Sequence, residues 1–391
     1  MQERSGGTRL GTYLRRLREN YGYTLRRVEQ RSQAVGECID NSQLSRFEKG
    51  KACPSFEKLR VLARVFNIPV QNFSDMLDLE VYDQYKPEGT NYDHLMEEGA
   101  RDFDLGNFGK AYVTFERCLE ILENGSTVDL AERRARARTR MAIALKRLGK
   151  LSMTESELRS ILREPAGLSA QTRIRTLLQL ASVNRELGDR YLAGILVREC
   201  LDLSRNERDR PSEAAARQIL GNLLLEDGNP AGAVPHLEAA LGLWENLGEE
   251  RKKVALLATL GECQCLLDRG DNGWANLKKS LALARRLSDR RGTAYALHKM
   301  AAASLREGRA GEGQDFIAKS NLEAEREPDP YPDILFANTF LMWEEARKRR
   351  NTTQAKIAFG RLKHLRSALE QRSPEVDRFD EYLGRSSGHG A

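Results

Sequence analysis

Residues 220–241, LGNLLLEDGNPAGAVPHLEAAL, contain two runs of helix-forming residues separated by a glycine turn. Gly228 suits the left-handed backbone conformation that ends a helix and lets the chain reverse its direction. Small residues recur around that turn, with one large residue among them: Gly221, Ala233, Leu237 and Ala240. Two antiparallel helices approach closely only where small residues face each other. The stretch therefore predicts a tightly packed helical hairpin.

The same spacing recurs along most of the chain. From about Tyr92 onward, glycines follow one another at intervals of 43, 39, 40, 42 and 38 residues: Gly106, Gly149, Gly188, Gly228, Gly270 and Gly308. A period near 40 residues is typical of stacked helix pairs. A seventh unit, around residues 343–362, lacks the glycine, as terminal units often do. The pattern resembles the tetratricopeptide repeat over residues 91–372, which implies about six to seven helix pairs.

The first 70 residues differ from the rest in charge and in pattern. They contain 14 Lys and Arg against 7 Asp and Glu, a net charge of +7, whereas the whole chain carries +6. Such a local excess suggests a polyanionic partner for this segment. Four to five short helices are expected here, and Thr24 and Asp40 suit the N-caps of the second and third.

The third of these helices, in DNSQLSRFEKGKACPSFEKL (residues 40–59), has a polar and basic outward face, while Leu44 and Phe47 point inward. Three motifs occur in order around it: L-x-x-L-R-x-x-x-G, S-R-F-E-K-G-K and P-S-x-x-x-L-x-x-L-A-x-x-F. Together they closely resemble the Cro/repressor, or XRE, family of helix-turn-helix proteins over residues 9–75. The resemblance implies a DNA-binding domain whose third helix enters the major groove.

The resemblance also implies roles for individual residues. The residues expected to read base edges are Asn41, Ser42, Gln43, Ser45 and Arg46. Those expected to contact phosphates are Thr24, Lys49, Gly50 and Lys51. Arg18 and Glu48 fall on positions that form an internal, mainly structural ion pair in the family.

One departure from the family concerns the turn before the reading helix. Eleven residues separate Ser32 from Leu44, and this is about five more than the helix-turn-helix motif usually needs. The segment AVGECID therefore either extends the second helix or forms a looped turn.

The expected fold class is all-α, with an N-terminal helix-turn-helix bundle followed by a tetratricopeptide-repeat right-handed superhelix. We expect a DNA-binding domain at residues 1–78, a linker at 79–90, the repeats at 91–372 and a partly disordered tail at 373–391, with disorder beyond Tyr382. The combination is similar in architecture to the RRNPP peptide-sensing regulators. This resemblance implies that the repeats bind a short peptide.

A superhelix of helix pairs has a concave face lined by the first helix of each pair. Counting from the turn glycines, its candidate lining residues are Arg136, Lys146, Arg175, Arg185, Gln218, Asn222, Tyr295 and His298. Amide side chains can satisfy the backbone of an extended peptide, and arginines can bind a carboxylate. The alternative for each position is an ordinary solvated residue.

Catalytic and metal chemistry is not indicated by the sequence. The six cysteines form no CxxC pair, and we interpret them as reduced thiols that are mostly small core residues. The histidines are spread singly through the repeats, and no nucleophile and base pair or cofactor motif emerges. We therefore expect no enzyme activity, no cofactor and no metal. A secretory signal and a membrane span are also absent from the sequence, which favours the cytoplasm.

The leading hypothesis is a sequence-specific DNA-binding transcriptional regulator whose repeats sense a peptide or protein ligand and mediate oligomerisation. A homodimer is expected, because one reading helix covers too few base pairs for specificity and paired half-sites are the usual solution. The alternative is a protein-interaction adaptor or antitoxin-like scaffold that binds DNA weakly or without specificity.

Overall fold

The computed structural model describes residues 8–123, 130–163, 168–268, 270–326 and 330–387. Every regular element in these ranges is helical, so the all-α prediction is confirmed. None of these helices is both long enough and apolar enough to span a membrane. The chain forms two compact units, Met1–Glu157 and Leu158–Ala391.

The first unit begins with five short helices: α1 (Thr8–Asn20), α2 (Leu25–Ala34), α3 (Asn41–Glu48), α4 (Phe56–Phe66) and α5 (Gln71–Glu80). After a 3-10 turn at Asp83–Tyr85 come longer helices: α6 (Tyr92–Asp104), α7 (Phe108–Glu123), α8 (Leu130–Arg147) and α9 (Leu151–Arg163). The boundary between the two units falls within α9.

The second unit continues the antiparallel pairs: α10 (Ala170–Leu187), α11 (Arg190–Asn206), α12 (Arg210–Glu226), α13 (Pro230–Asn246), α14 (Glu250–Leu266) and α15 (Gly270–Arg286). It ends with α16 (Arg290–Arg306), α17 (Ala310–Ala324), α18 (Pro332–Lys348), α19 (Thr352–Ser367) and α20 (Pro374–Ser387). The first helices of successive pairs, α10, α12, α14, α16 and α18, contact one another in order. They form the inner face of this unit.

The turn glycines adopt the expected left-handed conformation with one exception. Five have positive φ between 76° and 90°: Gly106, Gly149, Gly188, Gly228 and Gly308. Gly270 instead starts α15, and Asp268 takes the left-handed position with φ of 56°. An aspartate tolerates this conformation better than most side chains, which explains how the turn forms two residues earlier than predicted. In the seventh pair, which has no glycine, Arg350 takes this position.

The small residue in the first helix of a pair packs against the large residue of the second, whereas the spacing predicted that small residues face each other. A Cβ atom added to Gly99 would lie 2.6 Å from the ring of Phe115, and one added to Gly221 would lie 2.6 Å from Leu237. Phe115 and Leu237 are fully buried. Even the smallest side chain at these glycines would therefore force the paired helices apart.

The helix-turn-helix segment shares its hydrophobic core with the helices that follow it. Side chains from α1 to α5 and from α7 to α9 belong to one continuous buried cluster, including Leu62, Phe66, Phe73, Phe115 and Leu145. The residues predicted to form a free linker pack within this unit. Leu79 is fully buried, and the ring of Tyr82 covers Gly109 so closely that no side chain would fit there.

Two ion-pair clusters reinforce this shared core. The guanidinium of Arg9 on α1 donates to Glu116 at 2.7 and 2.8 Å, to the hydroxyl of Tyr112 at 2.7 Å and to Asp83. The ammonium of Lys150 lies 2.9 Å from Asp75 and 2.5 Å from Asp78 on α5. The first unit therefore joins the DNA-binding segment to the first repeats without a flexible connection between them.

The C-terminal tail differs from the prediction. Residues 374–387 form α20, whereas the sequence predicted disorder beyond Tyr382. Val376 and Phe379 are buried against Phe336 and Trp343, so long-range packing stabilises a helix that its polar composition does not indicate. Residues 388–391 lie outside the described part of the chain.

Candidate DNA-reading surface and repeat groove

The proposed reading helix α3 is fixed by its cap and by its buried face. The carboxylate of Asp40 accepts the backbone N–H of Gln43 at 2.8 Å and the hydroxyl of Ser42 at 2.5 Å. These two bonds lower the pKa of Asp40, the bond from Ser42 contributing most. Leu44 and Phe47 are buried beneath the helix. The polar residues of α3 are therefore held on the opposite, outward side.

The five predicted base-reading residues share this helix but differ in exposure and in hydrogen bonding. Asn41, Ser42 and Arg46 are exposed, whereas Gln43 and Ser45 are half-buried. The hydroxyl proton of Ser42 is used by Asp40, and the amide oxygen of Gln43 accepts from Lys58 at 3.2 Å. Among the described residues, Arg46 has no carboxylate within ion-pair distance. It is thus available to donate to a guanine edge.

The predicted phosphate-contacting residues lie at helix ends. Lys49 and Lys51 are exposed on either side of Gly50, whose φ of 65° ends α3 in a left-handed turn. The N–H groups of Gly50 and Lys51 bond back to the carbonyls of Phe47 and Arg46, which is the Schellman arrangement. Thr24, exposed at the start of α2, accepts the N–H of Arg27 at 3.1 Å.

Arg18 and Glu48 form the expected pair as a bidentate ion pair. Two guanidinium nitrogens of Arg18 lie 2.6 and 2.9 Å from the carboxylate oxygens of Glu48, whose side chain is only 7% exposed. At the same contact α1 approaches the end of α3 closely, because a Cβ on Gly11 would lie 2.9 Å from the carbonyl oxygen of Glu48. The pair therefore fixes the orientation of the reading helix against α1.

The longer turn before α3 is a loop and does not extend α2. α2 ends at Ala34, and Gly36 has a φ of 122° that favours glycine. Ile39 is fully buried, and its N–H donates to the hydroxyl of Ser32 at 2.9 Å. The extra residues are thus used to insert one apolar side chain into the core.

The structure divides the predicted groove residues between the two units. Arg136 and Lys146 lie on α8 in the first unit, and Arg136 pairs with Glu132 at 3.3 Å. The other six lie on first helices of pairs in the second unit: Arg175 and Arg185 on α10, Gln218 and Asn222 on α12, and Tyr295 and His298 on α16. Arg175 is exposed, whereas Arg185, Gln218 and Asn222 are half-buried.

Two of these residues are already engaged on the inner face of the second unit. Arg185 is paired with Glu226 on α12. His298 is only 4% exposed, and its Nδ1 lies 2.8 Å from the side-chain oxygen of Asn338. Burial, reinforced by Lys299, lowers the pKa of His298. The prediction that His298 lines an open groove is therefore wrong, because the neighbouring helix α18 covers it.

The sequence analysis missed a buried ion pair on the same face. The ammonium of Lys299 lies 2.7 Å from Glu262, and both side chains are less than 20% exposed. Burial opposes the charge of Lys299, but Glu262 outweighs it and raises the pKa of Lys299. The one signal in the sequence is spacing: Lys299 lies one helical turn after Tyr295 and therefore on the same side of α16.

The cysteines form no disulfide in the described part of the chain. Cys118, Cys200 and Cys263 are buried, and burial raises the pKa of each thiol to about 12. Cys38 and Cys53 are exposed, so the expectation of core residues does not hold for them. Among the described residues, no three His, Cys, Asp or Glu side chains cluster in a way that could hold a metal ion.

Residues 14–73 match the helix-turn-helix family. This match covers the bundle that presents α3. The N-terminal segment is thus a helix-turn-helix domain of the XRE type, as its motifs predicted. No curated protein sequence matches the chain.

Several solved structures share the helical fold at low sequence identity. The apo form of RapI is 12% identical over 71% of this chain and 97% of its own, with a TM-score of 0.56. A Rap protein complexed with competence and sporulation factor is 16% identical over 92% and 96%, with a TM-score of 0.55. The Rap conjugation gene regulator of plasmid pLS20, in complex with the Phr* peptide, is 12% identical over 92% and 96%, also at 0.55.

Proposed function

We propose that this chain, whose N-terminal segment is an XRE-type helix-turn-helix domain, is a sequence-specific DNA-binding transcriptional regulator. Its repeats would sense a peptide ligand and mediate dimerisation. In this proposal Asn41, Gln43 and Arg46 read base edges, with Ser42 and Ser45 beside them. Lys49, Lys51 and Thr24 position the helix on the phosphates.

One observation carries this proposal: an exposed arginine without a carboxylate partner on a rigidly capped helix. Arg9, Arg18 and Arg185 are each paired with an acidic residue. Arg46 is flanked instead by Lys49 and Lys51 on one exposed surface. Three exposed cations on one surface favour an anionic partner, and DNA supplies phosphates for such cations as well as guanine edges that accept from arginine.

The direct test is selection of bound fragments from a genomic DNA library by the full-length protein at physiological salt. We expect an enriched palindromic sequence with two half-sites about one DNA turn apart. Arg101→Gln serves as the matched control for Arg46→Gln, since Arg101 is an exposed arginine on α6, outside the helix-turn-helix domain. Absence of any enriched sequence would contradict the proposal. Recovery of a stoichiometric protein partner without DNA would then favour the adaptor alternative.

The proposal of a peptide ligand is supported by the fold shared with the Rap proteins, two of which were solved with a bound peptide or factor. It is also supported by the polar inner face of the second unit, where Asn222 keeps a buried amide oxygen without a partner among the described residues. Such oxygens suit the N–H groups of a peptide backbone. Release of the selected DNA on addition of a peptide library would identify the ligand.

The proposal of dimerisation follows from the short length of DNA that one helix can contact. One helix the length of α3 reaches only a few base pairs, and a two-fold dimer doubles the site that is read. Light scattering of the full-length protein with and without its selected site tests this point. A complex with one protein chain per palindrome would contradict it. In this proposal the protein acts in the cytoplasm, where the DNA is.

A further inference from the structure

The C-terminal segment contacts both ends of the second unit. At one end, Val376 and Phe379 pack with Phe336, Phe340 and Trp343 of α18 in a single buried cluster. At the other end, the backbone N–H of Arg372 donates to the carbonyl of Glu186 on α10 at 2.6 Å. The guanidinium of Arg190 on α11 lies 2.6 Å from Asp377. Since Val376 and Asp377 are adjacent, α20 lies between the first complete helix pair and the last.

A helix that only caps the repeats would not make both sets of contacts. Terminal capping helices cover the apolar face of the last repeat, which accounts for the packing of Val376 and Phe379. It does not account for Arg190 and Asp377, which are separated by 187 residues. Nor does it account for Arg372, whose side chain would lie 3.0 Å from a Cβ atom on Gly188, at the turn after α10. The segment therefore spans from α18 to α10, the last and the first of the helices that form the inner face.

Charged contacts join this segment to the repeats, mostly through its carboxylates, while its Arg378 lies 3.1 Å from Glu344 of α18. Asp377 meets Arg190, and Asp380 accepts from Arg366 of α19 at 2.9 Å. Burial would raise the pKa of Glu375, but Lys299 and His298 on α16 outweigh it and keep that pKa lowered. Two carboxylates of this short segment, with Phe379 between them, thus contact arginines on two repeat helices, α11 and α19.

We propose that the inner face of the second unit is a binding site for acidic peptides that carry apolar residues between their carboxylates. In the free protein α20 occupies this site, and a peptide of the same chemistry replaces it. This inference rests on the proposed function, in which the repeats sense a peptide, and it adds the class of the ligand and the means of regulation. Arg190, at the start of α11 beside the inner face, is the cation that selects the carboxylate of Asp377.

Competition with α20 also sets the affinity that the ligand needs. A tethered segment acts at an effective concentration that can reach the millimolar range. The apparent affinity for a free peptide is the intrinsic affinity multiplied by the fraction of protein in which α20 is released. Weakening α20 without changing the repeats should therefore tighten the binding of an added peptide.

The test uses the full-length protein and a fluorescent peptide with the sequence of residues 371–383, QRSPEVDRFDEYL. In the double variant E375Q/D377N only α20 is changed, and Val376 and Phe379 keep their apolar contacts. Fluorescence anisotropy should show at least tenfold tighter binding to this variant than to the unchanged protein. Hydrogen exchange of residues 374–387 should become faster in the variant, while exchange in α12 to α16 stays the same.

Two controls establish that charge recognition is responsible. A peptide carrying the same E375Q and D377N changes should bind the variant at least tenfold more weakly. Adding Arg190→Gln to the variant should also weaken binding of the original peptide, because the partner of Asp377 is removed. Arg198→Gln is the matched control, since Arg198 is an exposed arginine on the same helix.

Two results would overturn the inference. In the first, hydrogen exchange of α20 becomes faster in the variant but the peptide does not bind. The site would then be released and still have no affinity for an acidic peptide. The other is unchanged exchange of α20, because its carboxylates would then not hold it. Neither measurement involves DNA. If the DNA selection succeeds and the peptide does not bind, only the inference about the inner face is contradicted. If the peptide binds and the DNA selection fails, only the proposal of DNA binding is contradicted.

Discussion

The surface of α3 and the inner face of the second unit are both rich in cationic side chains, but they use them in opposite ways. On α3 and its turn, Arg46, Lys49 and Lys51 are exposed. On the inner face, Arg185 and Lys299 are largely buried and paired with Glu226 and Glu262. Exposed cations without partners are available to a ligand at little cost to stability. Buried pairs instead specify how neighbouring helices align, and removing one partner of such a pair is costly to stability.

The largest expected effect comes from breaking the inner pair. Lys299→Met should lower the free energy of unfolding by about 3–5 kcal/mol, because the carboxylate of Glu262 stays buried without its partner. Urea unfolding at pH 7 measures this loss. The double variant K299M/E262L should recover most of it, since two apolar side chains leave no buried charge. A loss below about 0.5 kcal/mol for K299M would show that the pair is as dispensable as a surface charge.

Arg46→Gln is expected to weaken DNA binding and to leave the stability of the protein nearly unchanged. It should weaken binding to the selected DNA by about 1–3 kcal/mol and relax the base choice at one position. Its free energy of unfolding should stay within about 0.5 kcal/mol, because Arg46 is exposed. Fragment selection and urea unfolding of the same preparation measure the two effects. An unchanged base preference would remove Arg46 from the reading surface.

The two regions should also differ in their response to pH. Residues 1–80 contain no histidine, whereas burial lowers the pKa of His298 on the inner face. The unfolded chain then binds a proton below about pH 6.5 that the folded chain excludes, so stability falls as the pH drops through this window. The expected slope is at most about 1.4 kcal/mol per pH unit for this residue.

Unfolding followed by urea between pH 7.5 and 5.5 tests this expectation, with His298→Asn as the variant. The variant should lose part of the pH dependence. His94→Asn is the matched control, because it replaces an exposed histidine, on α6. An equal slope in the unchanged protein and in H298N would assign the pH dependence to other groups.

The smallest expected effect is that of a single phosphate contact. Lys51→Gln should weaken binding to all DNA sequences alike and reduce the dependence of log affinity on log salt by about 0.9. The base preference should not change. Anisotropy titrations at several salt concentrations measure the slope, with Lys110→Gln, an exposed residue of α7, as the control. A changed base preference in K51Q would mean that Lys51 reads a base.

Features that depend on residues near one another in the chain were predictable. Turn glycines and the caps Thr24 and Asp40 follow from backbone and spacing rules that act over one hairpin. The same holds for the Arg18 and Glu48 pair, because a family motif supplied its geometry. The turn at Asp268 was missed since more than one residue of that connection can adopt the left-handed conformation.

The sequence by itself therefore determined the helical class, the repeat period and the helix-turn-helix domain, because each follows from local periodicity or from short motifs. The tertiary structure alone decided which polar residues are open and which are paired. Lys299 meets Glu262, His298 is covered by α18, and α20 joins α11 to α18. These contacts link residues from about 40 to nearly 190 positions apart. Their partners are set by how whole helices pack, which no local pattern encodes.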